Sequence, residues 1–229
     1  MVTDGVREGR CVASLLLAVA VNLAVGCALR HGVNREIAAV AQQHDALALS
    51  DALERLINDG TDTPADRQFA YDAVKGRVED TAADCYARAA ITGRLVQERG
   101  LLGANLVPDI ERLAMRSREL DPDFRDGAAT RLLGTLYVIA PAALLSHGDS
   151  EQGLDLLEGL TSSRPDVLEN HLRLAEAYLA LGDPAPAAPH LCRCLDGKAR
   201  LHGDDQRLLA RLVTSDRDLR CPPAVAAAP

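Results

Sequence analysis

The sequence predicts an all-α fold of antiparallel helix pairs stacked on one another, and three observations predict it. First, Leu174, Ala175, Tyr178, Gly182, Ala187 and Leu191 sit at offsets that suit a helix, a turn and a second helix. Leu133, Gly134 and Tyr137 repeat the start of that pattern upstream. Small residues at the second slot and at Ala187 let two helices approach closely, while Leu and Tyr fill the space to the next pair. Second, aromatic residues are scarce, with four Tyr, two Phe and no Trp in 229 residues, so Leu, Ala and Val must build the core. Third, no stretch of useful length alternates apolar and polar residues as a half-buried strand would.

The N-terminal segment reads as a targeting element, separate from the fold. Cys11 to Leu29 is a run of 19 residues without a charge, preceded by Arg7 and Arg10. It contains Ala24-Val25-Gly26-Cys27, small residues before a Cys, which resembles a lipoprotein processing site with Cys27 as the lipidated residue. An uncleaved membrane anchor and ordinary secretory cleavage are the alternatives, and all three export the folded part. Lipidation would hold the protein at a membrane surface. Ala28, where Asp would retain a bacterial lipoprotein at the inner membrane, points to the outer membrane. The expected division is a signal or lipoprotein segment over 1–27, a helical domain over 28–218 and a disordered tail over 219–229.

The elements follow in order. Ile37, Val40 and Ala41 share one helical face, then Leu49, Leu53, Leu56 and Ile57 share another, with Ser50 at the start of that run and Gly60 at its end. Pro64 suits the first position of the next helix, which turns Phe69, Ala73 and Val74 inward and stops near Asp80. Asp80 or Thr81 caps the following helix, with Tyr86, Ala89, Ala90, Gly93, Leu95 and Val96 on its packing side. Gly100-Leu101-Leu102-Gly103 breaks it. A helix from about Leu106 to Leu120 ends at Asp121-Pro122 and packs through Ile110, Ala114 and Ser117. Leu132 to Ser146 carries no charge and reads as a buried helix ended or kinked at Pro141. Ala142 to Gly148 is an elongated turn, and Ser150 caps a helix with Gly153 at a close-contact slot. A last pair runs from Leu168 to about Leu195, with Pro184, Pro186 and Pro189 in the first turn of its second helix. Asp204 to Val213 forms a final amphipathic helix through Leu208, Leu209 and Leu212.

Composition narrows function. A net charge of −8 with no strongly basic segment excludes nucleic acid as a natural partner. In an oxidising compartment Cys85, Cys192, Cys194 and Cys221 allow three pairings, among which sequence does not choose. His190, Cys192 and Cys194 are metal-capable, but residues two apart on a helix point about 200° apart, so no metal and no cofactor is expected. Gly-x-Ser-x-Gly, His-Glu-x-x-His and a phosphate-binding glycine loop are all missing from the sequence. Ser146, His147 and Asp149 are neighbours in a turn, where triads are rarely assembled. A binding protein, and not an enzyme, is expected.

The offsets from Leu174 to Leu191 resemble the tetratricopeptide repeat, a helix–turn–helix unit of about 34 residues, here in divergent form. The resemblance implies a stacked superhelix with a concave binding face. In that register Arg131, Thr135 and Val138 of one unit, and Glu169, Leu172 and Glu176 of the next, fall on concave slots, making them the candidate ligand- or partner-binding residues. His171 falls on a packing slot.

The stretch from Asp80 to Leu195 resembles one family further. Arg131-Leu132-Leu133-Gly134-Thr135-Leu136-Tyr137, Ala140-Pro141, Gly148-Asp149-Ser150-Glu151 and Glu169 to Tyr178 are similar to the T component of tripartite ATP-independent periplasmic (TRAP) transporters. That resemblance implies a periplasmic lipoprotein of cryptic helix pairs. It implies a homotrimer that associates with the transporter's substrate-binding component and holds an apolar small molecule. The uncharged Leu132–Leu145 stretch is the candidate for the channel lining or a subunit contact, with central core as the alternative. The alternative is a protein-binding scaffold in the bacterial cell envelope.

Overall fold

The computed structural model describes residues 32–78, 81–215 and 219–221. The apolar segment with Cys27, and the tail beyond Cys221, lie outside them. The described residues form an all-α stack of antiparallel helix pairs, and none of their helices is long and apolar enough to cross a membrane. The helices are α1 (Arg35–Ala41), α2 (Ala46–Asp59), α3 (Pro64–Val74), α4 (Ala82–Arg99) and α5 (Val107–Leu120). They continue as α6 (Ala128–Ile139), α7 (Ser150–Ser163), α8 (Leu168–Ala180), α9 (Pro184–Asp196) and α10 (Gly203–Ser215).

Local chemistry sets the boundaries. Asp45 caps α2 by accepting from the Ala48 N–H, five residues before Ser50, which is buried inside the helix. Gly60 closes α2 in a left-handed conformation, φ 69°. Thr63 and Asp66 form a reciprocal capping box with Pro64 at the first helical position of α3. Thr81 caps α4, and Asp149, not Ser150, caps α7. Pro141, two residues past the end of α6, closes the helix instead of kinking it.

Packing follows the repeat slots. The pairs α4/α5, α6/α7 and α8/α9 are helix hairpins, and apolar clusters succeed one another along the chain. The α6/α7 pair crosses at Gly134 and Gly153. A methyl at Gly134 would lie 2.8 Å from Leu157 Cγ and 3.0 Å from the Gly153 carbonyl oxygen. Glycine is required here because the two backbones touch.

Nothing local in the sequence marks where α10 packs. Its Leu208 and Leu209 pack on Leu172 and Leu191, and its N-terminal end reaches back to α2. Arg207 donates to the Ile57 and Asn58 carbonyls at 2.5 and 3.1 Å, and the Asp204 N–H donates to Asn58 Oδ1 at 3.2 Å. The last unit therefore touches the first. Cys192 is joined to Cys221 by a disulfide, and Leu219 packs on the same cluster, so residues 219–221 are tied to the domain.

Candidate functional site

A groove of about 990 Å³ runs across the stack. One wall is apolar and comes from α4, α5 and α6: Val96, Val107, Ile110, Leu132, Leu136 and Ile139. Pro141 and Leu144 of the elongated turn extend it, as does Leu101 after α4. The other end is charged and is supplied by α2, α8 and α10 through Asp51, Glu54, Glu169, Arg173, Asp204 and Asp205.

The charged end is largely self-neutralised. Arg94 pairs with Glu54 at 2.6 Å and with Asp204 at 2.8 Å, linking α4 to α2 and α10. Arg173 reaches Glu176 at 2.9 Å and Asp205 at 2.8 Å. Arg125 makes two bonds to Asp51, at 2.6 and 2.7 Å, from a loop in which Arg125, Asp126 and Gly127 are all left-handed. Such backbone persists only where surrounding contacts fix it.

The candidate residues divide. Arg131, Thr135 and Glu169 line the groove together, as do Leu132, Leu136, Ile139, Ala140, Pro141 and Leu144 of the uncharged stretch. Val138, Leu172 and Glu176 do not. Val138 packs on Leu157 and Leu174. Leu172 is fully buried because α10 covers that slot of α8, and Glu176 is occupied by Arg173. A helix docked on the concave face removes it from use, which a repeat register does not reveal. On α4 the single packing side expected from sequence resolves into two: Ala89 and Leu95 are core, whereas Tyr86, Ala90, Gly93 and Val96 line the groove.

A second polar cluster lies in the α8/α9 hairpin. His171 Nε2 lies 2.8 Å from the Pro165 carbonyl oxygen, and His171 Nδ1 lies 2.8 Å from His190 Nδ1. A carbonyl only accepts, so neutral His171 carries its proton on Nε2 and its Nδ1 accepts from His190 Nδ1–H. Tyr178 stacks on His190 and donates to Glu158. Burial holds both histidines below their ordinary pKa, and each is depressed further by neighbouring positive charge, Arg193 for His171 and His171 itself for His190. The pair is thus a structural contact at a packing slot. The sign of its pH dependence follows. A base with a depressed folded pKa contributes stability above its unfolded value, near 6.5, and that contribution is lost as pH falls below it. Thermal melts are expected to be flat from pH 8 to 7 and to drop below about 6.5, and His190→Gln should flatten that drop. An unchanged slope in His190→Gln would refute the assignment.

His190, Cys192 and Cys194 face different partners. Cys192 is in the disulfide, and the Cys194 thiol, raised to about 12 by burial, donates to the Leu168 carbonyl. Among the described residues no cluster of three or more His, Cys, Asp or Glu could hold a metal ion.

No family model matches the chain, and no curated protein matches it. Its function has to be argued from the groove.

Proposed function

We propose that this chain is a non-catalytic component of the bacterial cell envelope. It holds an apolar small molecule in its groove and docks on the substrate-binding component of a TRAP-type solute transport system. The observation that carries the reading is the apolar wall contributed by α4, α5, α6 and the 142–144 turn inside a groove of about 990 Å³, a volume suited to a small ligand. Leu132, Leu136, Ile139, Pro141 and Leu144 of the uncharged candidate stretch belong to that wall. The Cys192–Cys221 disulfide suits an oxidising compartment, and the run before Cys27 suits a lipid tether at the periplasmic face. The same reading carries the homotrimer.

A scaffold that binds only protein is the second reading, favoured by Leu101, which lines the groove, and its neighbour Leu102, 87% and 85% exposed. A photo-reactive residue in place of Leu102, used in living cells, tests the choice. Crosslinks to a transporter's substrate-binding protein are expected. Crosslinks confined to envelope-assembly proteins would overturn the transport reading.

A further inference from the structure

Among the arginines of the groove, one has no carboxylate within ion-pair distance among the described residues. Five arginines line it: Arg55, Arg94, Arg125, Arg131 and Arg173. Four of them are paired with carboxylates, at 2.5 to 2.9 Å. Arg131 is not. Its guanidinium donates to a neutral acceptor, Asn170 Oδ1, at 2.6 Å, and among the described residues no carboxylate lies within ion-pair distance. Its remaining donors are held in a partly buried position, where an uncompensated charge is costly.

Tyr86 stands beside it. The two side chains act on each other electrostatically, and Tyr86 packs its ring on Phe124 at 5.6 Å. The Tyr86 hydroxyl has no hydrogen-bond partner among the described residues. Two donors without a matching acceptor therefore share one region of the groove. From there α6 presents Leu132, Leu136 and Ile139 to the groove. That stripe, at 1.5 Å per residue from Arg131, is about 12 Å long. It ends against Pro141 and Leu144.

We propose that the groove binds an aliphatic carboxylate, its head group on Arg131 and Tyr86 and its alkyl chain along the α6 stripe. Arg131 suits this role because the planar guanidinium meets a carboxylate through two parallel bonds. Glu169 lines the same groove and acts on Arg131. Its charge opposes the head group, which tunes the site toward a single negative charge. The inference rests on the small-molecule reading of the groove given above.

Calorimetric titration of the full chain in detergent with decanoate and with decan-1-ol tests it, with micelles alone as the blank. Decanoate is expected to bind about tenfold or more tightly than the alcohol, the effect of a charge-assisted hydrogen bond. Arg131→Gln should erase that preference and Glu169→Gln should increase it. Tyr86→Phe keeps the ring on Phe124 and should lower decanoate affinity several-fold while leaving the alcohol unchanged. That variant keeps the test open should Arg131→Gln fold poorly. Equal binding of the two compounds, or a preference that survives Arg131→Gln, overturns the head-group assignment and leaves the apolar groove standing. Binding of neither compound overturns both.

Discussion

Glu111→Ala is expected to cost about 3 kcal/mol of stability and to release the turn that completes the groove wall. Glu111 sits on α5 and is fully buried. It accepts from the Ser146 and His147 backbone N–H groups, each at 2.8 Å, and the Tyr137 side chain acts on it electrostatically. Tyr137 in turn lies against Gly148, where a methyl would come within 2.2 Å of the ring. One carboxylate thus pins the long α6–α7 connection to α5 and holds Pro141 and Leu144 at the groove. Removing it leaves two backbone N–H donors without their acceptor, and no rotamer change can redirect them. Burial pushes the Glu111 carboxyl up, but these donors together outweigh it and hold its pKa below the ordinary value of 4.5. A depressed carboxylate contributes stability that is present above its unfolded pKa and is lost as pH falls through the folded one. Urea denaturation should show the loss at pH 7, with amide exchange at residues 146–147 accelerated. The difference between wild type and variant should shrink as pH falls below about 4.5. A variant as stable as wild type would refute the pinning role.

The second large effect is at the α6/α7 crossing. Gly153→Ala is expected to destabilise by about 2 kcal/mol, and Gly153→Val by more. The added methyl would lie 2.8 Å from the Gly134 carbonyl oxygen and 2.8 Å from Tyr137 Cβ, atoms fixed by the backbone. Helix propensity alone argues the other way, since replacing a mid-helix glycine by alanine favours the helix by roughly 1 kcal/mol. Gly159 on the same helix separates the two effects. A methyl there meets nothing within 4 Å, so Gly159→Ala should stabilise. Chemical denaturation of the two variants should give opposite signs. Two stabilising changes would mean that the helices do not meet at Gly134 and Gly153.

Much of this architecture is legible in the sequence because close helix contact demands particular residues. Leu133, Gly134, Tyr137 and Gly153 mark the α6/α7 hairpin by size alone, and Gly60, Pro64 and Pro141 mark boundaries through backbone conformation. The uncharged run after Arg131 likewise marks the groove wall, since a helix apolar on both faces serves a core and a cavity at once. The remainder depends on distant pairings. Caps at Asp45 and Asp149 were displaced from Ser50 and Ser150 because several residues in each turn can cap, and tertiary packing selects one. Nothing in the local sequence singles out Glu111, and only the folded chain brings residues 146–147 over it. Leu172 and Glu176 satisfied a concave register that α10 then covered. Tyr86 and Arg131 lie on different helices, so nothing local announces that both face one groove.

The central claim is that this groove holds an apolar small molecule. Native mass spectrometry of the full chain, released from detergent under non-reducing conditions, tests it most directly. The expected spectrum is a trimer carrying a discrete small-molecule adduct that Leu136→Arg removes. A wild-type chain without such an adduct, indistinguishable from Leu136→Arg, would contradict it.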